Sequence, residues 1–298
     1  MKPHPLFTSL RFALLGLAAV TTPLALQAGE TIKNPVPAIE PPAPASIFSG
    51  DLGITVANQY NTRGIIVQND GVSYQPYLNL YAKFYEGEGF ISRASLFIGL
   101  WADLSSKTDV AGVGSGSRHF TEFDYGVGLN FQFAKRFSFT TFWNQWTSPS
   151  DAYGDGGFIN NTLSFDDSGL ISKKFSFKPY FTFLYDLGGD APTGLERKTW
   201  YFEPGISPNY TFFSESKTPV NVAILAKAGL GKDFYGGEAY GYFAVGPQVS
   251  ISLGFIPPQN GKWTVSAGYL YYNLGDTLSP ITGKKDENLF SFNLAVSF

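Results

Sequence analysis

The sequence predicts an all-β fold: a transmembrane antiparallel β-barrel of about 12 strands behind an N-terminal signal peptide. Three observations predict it. Strict two-residue alternation recurs along most of the chain, the connections alternate between short and long, and the apolar stripe carries aromatic rings to the segment ends. Composition agrees. The 298 residues include 28 Phe, 17 Tyr, 5 Trp and 33 Gly, and only 15 % are charged, against ~25 % in ordinary soluble domains. The lack of Cys removes disulfides, thiolate catalysis, zinc ribbons and iron–sulfur clusters. With His4 and His119 as the two histidines, a multi-His metal site is excluded. A net charge of −3 argues against a nucleic-acid partner, which calls for a basic stripe.

Residues 1–28 read as a signal peptide. Lys2 and Arg11 form its positive region, Phe12 to Val20 its apolar run, and Leu26-Gln27-Ala28 its small-residue cleavage site. The apolar run is about half the ~20 residues a membrane helix needs. Removing it leaves 19 basic and 24 acidic residues in the mature chain. Residues 29–49 read as a Pro-rich periplasmic linker, because prolines at 35, 37, 41, 42 and 44 favour an extended tether.

The barrel is expected over residues 50–298. Its segments fall near 51–60, 74–85, 91–104, 121–134, 137–146, 158–166, 175–187, 198–212, 219–231, 240–256, 262–274 and 288–298. Glu122 to Phe133 shows the pattern: Phe123, Tyr125, Val127, Leu129, Phe131 and Phe133 share one face, and Glu122, Asp124, Gly126, Gly128, Asn130 and Gln132 the other. The segment 158–166 alternates least clearly, since Asn160 and Asn161 are adjacent. Links after the second, fourth, eighth and tenth segments are short, as on the periplasmic side of an outer-membrane barrel. The link after the sixth, around Asp166–Lys174, is longer than that pattern expects.

A soluble sandwich buries its apolar faces, whereas a membrane barrel turns them outward. The rings argue for the second arrangement. Trp143, Tyr185, Trp200 and Tyr271 fall near one rim, and Trp263 and Phe298 near the other, as interfacial girdles require. The opposite face is rich in Gly, Ser, Thr, Asn and Gln, which suits a lumen. The chain closes on Ser-Phe after an alternating strand, a terminus resembling the signal read by barrel-assembly machinery. Outer-membrane lipid and that machinery are therefore the expected partners, at the cell outer membrane.

Several stretches also resemble a known family. Tyr60-Asn61-Thr62-Arg63-Gly64-Ile65, Gln68-Asn69, Gln75-Pro76, Ile98-Gly99-Leu100-Trp101-Ala102 and Glu122-Phe123-Asp124 are similar to the opening of the TorF-like porin family of bacterial outer-membrane β-barrels. The resemblance spans roughly residues 50–145, and later strands match in pattern only. It implies an outer-membrane channel and names no solute. Arg63-Gly64 falls where the first strand opens into a long loop, and Gly64 has the character of a turn residue.

Twelve tilted strands close at a backbone radius of roughly 12 Å. Side chains then leave room for water, ions and small polar solutes. Parity points Lys83, Arg93, Asp103, Glu122, Asp124, Lys178, Asp186, Glu203 and Lys227 inward, with Arg63 at the rim. These candidate pore-lining charges divide evenly by sign. They can orient dipolar solutes from opposite walls or pair into bridges that rigidify the barrel.

The expected function is passive diffusion of small hydrophilic solutes, with no cofactor and no reaction. Two alternatives stand beside it: a lipase- or deacylase-type barrel hydrolase using His119, and a structural or surface-interaction barrel with a closed lumen. His119-Phe120-Thr121 resembles a His-x-Ser arrangement with Thr replacing Ser, and reads better as a loop histidine. Asp151, Asp155, Asp166 and Asp167 lack the order of a calcium loop and suit turns instead. Gly112–Gly116 precedes neither Lys-Ser/Thr nor a helix, so it is no phosphate loop.

Overall fold

Alternating segments can satisfy their backbone N–H and C=O groups only by pairing edge to edge, and here the sheet pairs all the way round. The structure, a computed structural model, describes residues 46–107, 119–151, 154–189 and 198–298. The expected signal peptide, most of the linker and the Gly112–Gly116 loop lie outside the described residues. The barrel strands are β1 (Phe48–Ala57), β2 (Ser73–Glu86), β3 (Ile91–Ser105), β4 (Phe120–Phe133), β5 (Phe137–Thr147) and β6 (Gly156–Phe165). They continue with β7 (Phe175–Ser176 and Tyr180–Gly189), β8 (Trp200–Ile206 and Asn209–Phe212), β9 (Val220–Leu230), β10 (Tyr240–Ser252), β11 (Lys262–Leu274) and β12 (Asp286–Ser297). Each pairs antiparallel with its chain neighbours. Closure comes from β12 on β1, with Asp51 opposite Ser297 and Ala57 opposite Ser291. Gly50 and Phe298 extend that seam by exchanging two N–H···O bonds of 2.9 Å.

Four departures from simple alternation have local causes. β1 ends at Ala57 rather than Tyr60 because the Asn58 side chain takes over pairing with β12. Its amide donates to the Asn288 carbonyl and accepts from the Phe290 N–H. β7 and β8 are each interrupted, at Lys178 (φ 47°) and at Ser207-Pro208. Pro76, Pro204 and Pro247 lie inside strands, and each faces a skipped stretch of one ladder. A proline has no N–H to give there. Finally, the β6–β7 link is a built turn, not a slack loop. The Asp167 carboxylate accepts the Phe177 and Lys178 N–H groups at 2.6 and 2.9 Å. Arg136 donates to the Asp166 and Ser168 carbonyls.

The two faces of the sheet differ as the alternation requires. Leu52, Ile54, Leu96, Ile98, Val127, Trp143, Phe181, Phe202, Ile224, Val249 and Phe292 point outward and are exposed. Inward positions include Asn79, Asn130, Thr140, Thr162, Thr182, Asn221, Ser250 and Ser266, all buried. No helix among the described residues is long and apolar enough to cross a membrane, so any crossing is made by strands.

Gly128 marks how closely β4 and β5 approach. A Cβ there would meet the Thr141 carbonyl oxygen at 2.1 Å and the Phe142 Cα at 2.5 Å. Gly128→Val should lower stability by at least ~1–3 kcal/mol, as overpacking does. Refolding yield and heat-modifiable gel mobility will register the loss. At the β6–β7 turn, burial raises the Asp166 carboxyl, but hydrogen bonds from Lys178 and Ser168 outweigh it and hold the group below its usual range. Its stabilising effect is therefore present above about pH 4 and lost as pH falls through the folded value. Asp166→Asn should flatten that acid limb in pH-dependent unfolding curves.

Candidate functional site in the barrel lumen

The first long loop turns inward. Tyr60–Thr62 pairs with Ile65–Gln68 in a hairpin separate from the barrel sheet. Its two central residues, Arg63 (φ 52°) and Gly64 (φ 80°), both lie in the left-handed region, the signature of a type I′ turn. The Asn61 side-chain Oδ1 accepts the Gly64 N–H at 3.0 Å. Gly64 also packs against Tyr242 and Leu278 so closely that a Cβ would meet them at 2.7 and 2.9 Å. Arginine in a left-handed conformation costs about 1–2 kcal/mol, and its surroundings explain why it stays.

The Arg63 guanidinium sits over three rings, at 4.8 Å from the Phe158 centroid, 5.1 Å from Trp146 and 5.9 Å from Tyr201. Stacking on ring faces is the chemistry a guanidinium performs better than an ammonium. Tyr235 donates its hydroxyl to the Arg63 carbonyl at 2.8 Å. Tyr60 reaches both Glu122 carboxylate oxygens, at 2.9 and 3.0 Å, and its ring lies 5.3 Å from Trp101. Phe234 and Tyr235, in the loop after β9, and Leu278, in the loop after β11, close the remaining space. The hairpin is thus buried apart from half-buried Ile65, and Tyr60 is 0 % exposed.

Lumen composition therefore changes along the axis. At the loop end, inward positions carry Phe97, Trp101, Phe142, Trp146, Phe158, Leu184, Tyr201, Tyr242, Leu270, Tyr272 and Leu289, and these form the hydrophobic core. The expectation of a uniformly polar inner face is corrected here: the rings inside match those of the plugging loops. The signal was present in runs apolar on both faces, such as Leu96-Phe97-Ile98 and Trp200-Tyr201-Phe202. Toward the termini the wall is polar, and neighbours satisfy one another across strands. Asn130 donates to Thr140 at 2.7 Å, the Thr162 and Thr182 hydroxyls meet at 2.9 Å, and Asn79 donates to Asp51 at 3.1 Å.

The candidate charges separate into two groups. Arg63, Asp103, Glu122, Asp124, Asp186, Glu203 and Lys227 are all buried inside. Asp103 accepts from Ser73 and Thr121. Asp186 accepts from the Gly188 and Lys198 N–H groups. Glu203 accepts hydroxyls from Tyr180, Tyr201 and Tyr242 at 3.0, 2.6 and 2.6 Å and faces Lys227 at 3.7 Å. Lys83, Arg93 and Lys178 do not line the passage. They lie at the terminal rim, partly exposed, where Lys83 and Arg93 pair with Glu86, and Lys178 with Asp166 at 2.5 Å. Inward parity placed them correctly by face but not by depth, since a long side chain at a strand end extends to the rim.

Sequence reasoning also missed Asp51 and Glu287, inward, buried and acidic. Among the buried lumen-facing groups of the described residues, acids thus outnumber bases seven to two: Asp51, Asp103, Glu122, Asp124, Asp186, Glu203 and Glu287 against Arg63 and Lys227. The even split by sign expected from the sequence is corrected accordingly.

The ring residues expected at the rims lie on the outward face. Trp143, Trp200 and Phe298 are exposed, and Tyr185, Trp263 and Tyr271 half-buried against neighbours. Tyr185 stacks with Trp200 at 4.8 Å. The hydrolase arrangement is not assembled. His119 Nδ1 lies 2.8 Å from the Ser105 carbonyl, whereas the Thr121 hydroxyl donates to Asp103. Among the described residues no acidic or histidine group of three or more could hold a metal ion.

No family model and no curated protein matches this chain. Solved structures of similar architecture include a bacterial polysaccharide outer membrane secretin (9 % identity, 85 % of this chain and 98 % of that chain, TM-score 0.49). Others are the COG4313 outer membrane channel from Pseudomonas putida F1 (10 %, 88 % and 100 %, 0.46) and a KdgM porin in complex with disordered oligogalacturonate (9 %, 84 % and 99 %, 0.40). At such identities nothing about cargo passes from them to this chain.

Replacing Arg63 tests the seat. Arg63→Ala should destabilise the folded barrel by about 1–2 kcal/mol, and Arg63→Lys should recover less than half of that. Tryptophan fluorescence, dominated near the seat by Trp146 and Trp101, will report both.

Proposed function

We propose that this protein is an outer-membrane channel for passive diffusion of small hydrophilic solutes, closed in the state described by its inward hairpin. One observation carries the reading: a closed antiparallel sheet presents Leu, Ile, Val and aromatic side chains outward around its circumference, while its inner wall is polar toward the terminal end. Such an exterior is unfavourable in water and matches hydrocarbon, and the outward rings of Trp143, Trp200, Tyr271 and Trp263 suit the aromatic girdles of such a barrel. The resemblance to the TorF-like family over residues 50–145 supports the same reading.

Passage requires the hairpin to leave the loop-end lumen. Its turn is strained at Arg63 and its strands pair only with each other, so withdrawal breaks no barrel ladder. The buried state of Tyr60–Gln68 equally favours a second reading, a permanently closed structural barrel. Planar-bilayer recording separates them. The refolded mature chain should show brief, rare openings. A variant with residues 60–68 replaced by a short Gly-Ser linker should conduct in long openings at least tenfold more often, as removal of a few kcal/mol of closing contacts predicts. Absence of conductance in both would overturn the channel and leave the closed barrel.

A further inference from the structure

The lumen holds a marked excess of acid, and one of its two buried bases is carried by the plug itself. Withdrawing the hairpin removes Arg63 and leaves Lys227 alone against seven carboxylates. A passage lined this way attracts cations and repels anions. Two further features point to a cationic ligand. Asp124 Oδ1 and Glu287 Oε1 are buried inward carboxylate oxygens with no hydrogen-bond partner. And the Phe158–Trp146–Tyr201 cage already binds a guanidinium face-on, with Asp124 opposite Trp146 in the β4–β5 register.

Resting on the channel reading, we propose that the passage is selective for cations, and that the ring cage holding Arg63 receives an organic cation of guanidinium or ammonium type once the hairpin withdraws. Arg63 is then a tethered occupant of the transport site. A free guanidinium can replace it because rings and carboxylates recognise the group and not its tether. The ligand need bring only a flat or compact cation, since the cage supplies the ring faces and the neighbouring acidic pair Glu122 and Asp124 supplies polar partners. Neutral solutes lack the charge that ring faces attract, and anions meet the acidic side chains.

The test uses the full mature chain refolded in planar bilayers, as wild type and as Arg63→Ala. In a KCl gradient the reversal potential should give a potassium-to-chloride permeability ratio above about 5, as acidic linings confer. The Glu122→Gln/Asp124→Asn double variant should lower that ratio at least twofold. Guanidinium chloride at millimolar concentration should interrupt the current in Arg63→Ala more often than in wild type, because the seat is vacant. Trp146→Leu or, should that variant fail to fold, Phe158→Leu in the Arg63→Ala background should remove the interruptions while potassium current persists. A ratio near or below one in a conducting protein overturns the proposal and leaves the channel reading intact. Cation preference with interruptions indifferent to the cage variants overturns the cage as the transport site. No current in any variant removes the channel reading and this proposal together.

Discussion

Closure of β12 on β1 is the constraint on which the other features depend. A sheet with an open edge would leave a row of unpaired N–H and C=O groups, which neither lipid nor a dry interior can satisfy. Once the register runs from Asp51–Ser297 to Ala57–Ser291, every strand has two neighbours and the two faces become an inside and an outside. Inward parity then fixes which residues share the lumen, however far apart they are in the chain. Tyr60 meets Glu122, and Tyr201 meets Tyr242, at sequence separations of 62 and 41.

At the loop end the hairpin packs among the inward side chains of the barrel. Burying a polar backbone segment requires that its own groups be paired, and a hairpin meets this by pairing with itself. Its single cation would be costly in an apolar plug. The three rings and nearby carboxylates offset that cost, and the Tyr235 hydroxyl holds the strained turn from the opposite loop. Plug, cage and acid lining are therefore one arrangement. The same contacts that close the lumen define what chemistry would compete for it.

The short turns at the terminal end show the opposite economy. Lys83, Arg93 and Lys178 pair with acids at the rim, where water screens them and little energy is at stake. Three of the five candidate bases thus lie at the rim, while all five candidate acids lie in the interior. An even count of charges along the sequence conceals this, because sign must be read together with depth.

The sequence by itself determined the strand number, the alternation of short and long connections, and which residues share a face, because a period of two follows from pleat geometry alone. Even the poorly alternating segment at 158–166 forms β6. It also displayed the Tyr60–Ile65 stretch as distinctive without saying where it goes. Only the tertiary structure decided that this stretch is a plug, that the inner face is aromatic at one end and polar at the other, and that Glu122 meets Tyr60 while the Phe158 cage meets Arg63. Those facts depend on ring closure and loop direction, which bring together residues that no local pattern relates. A strand records in its own residues which side of the sheet each one faces, but not what will be pressed against it from across the barrel.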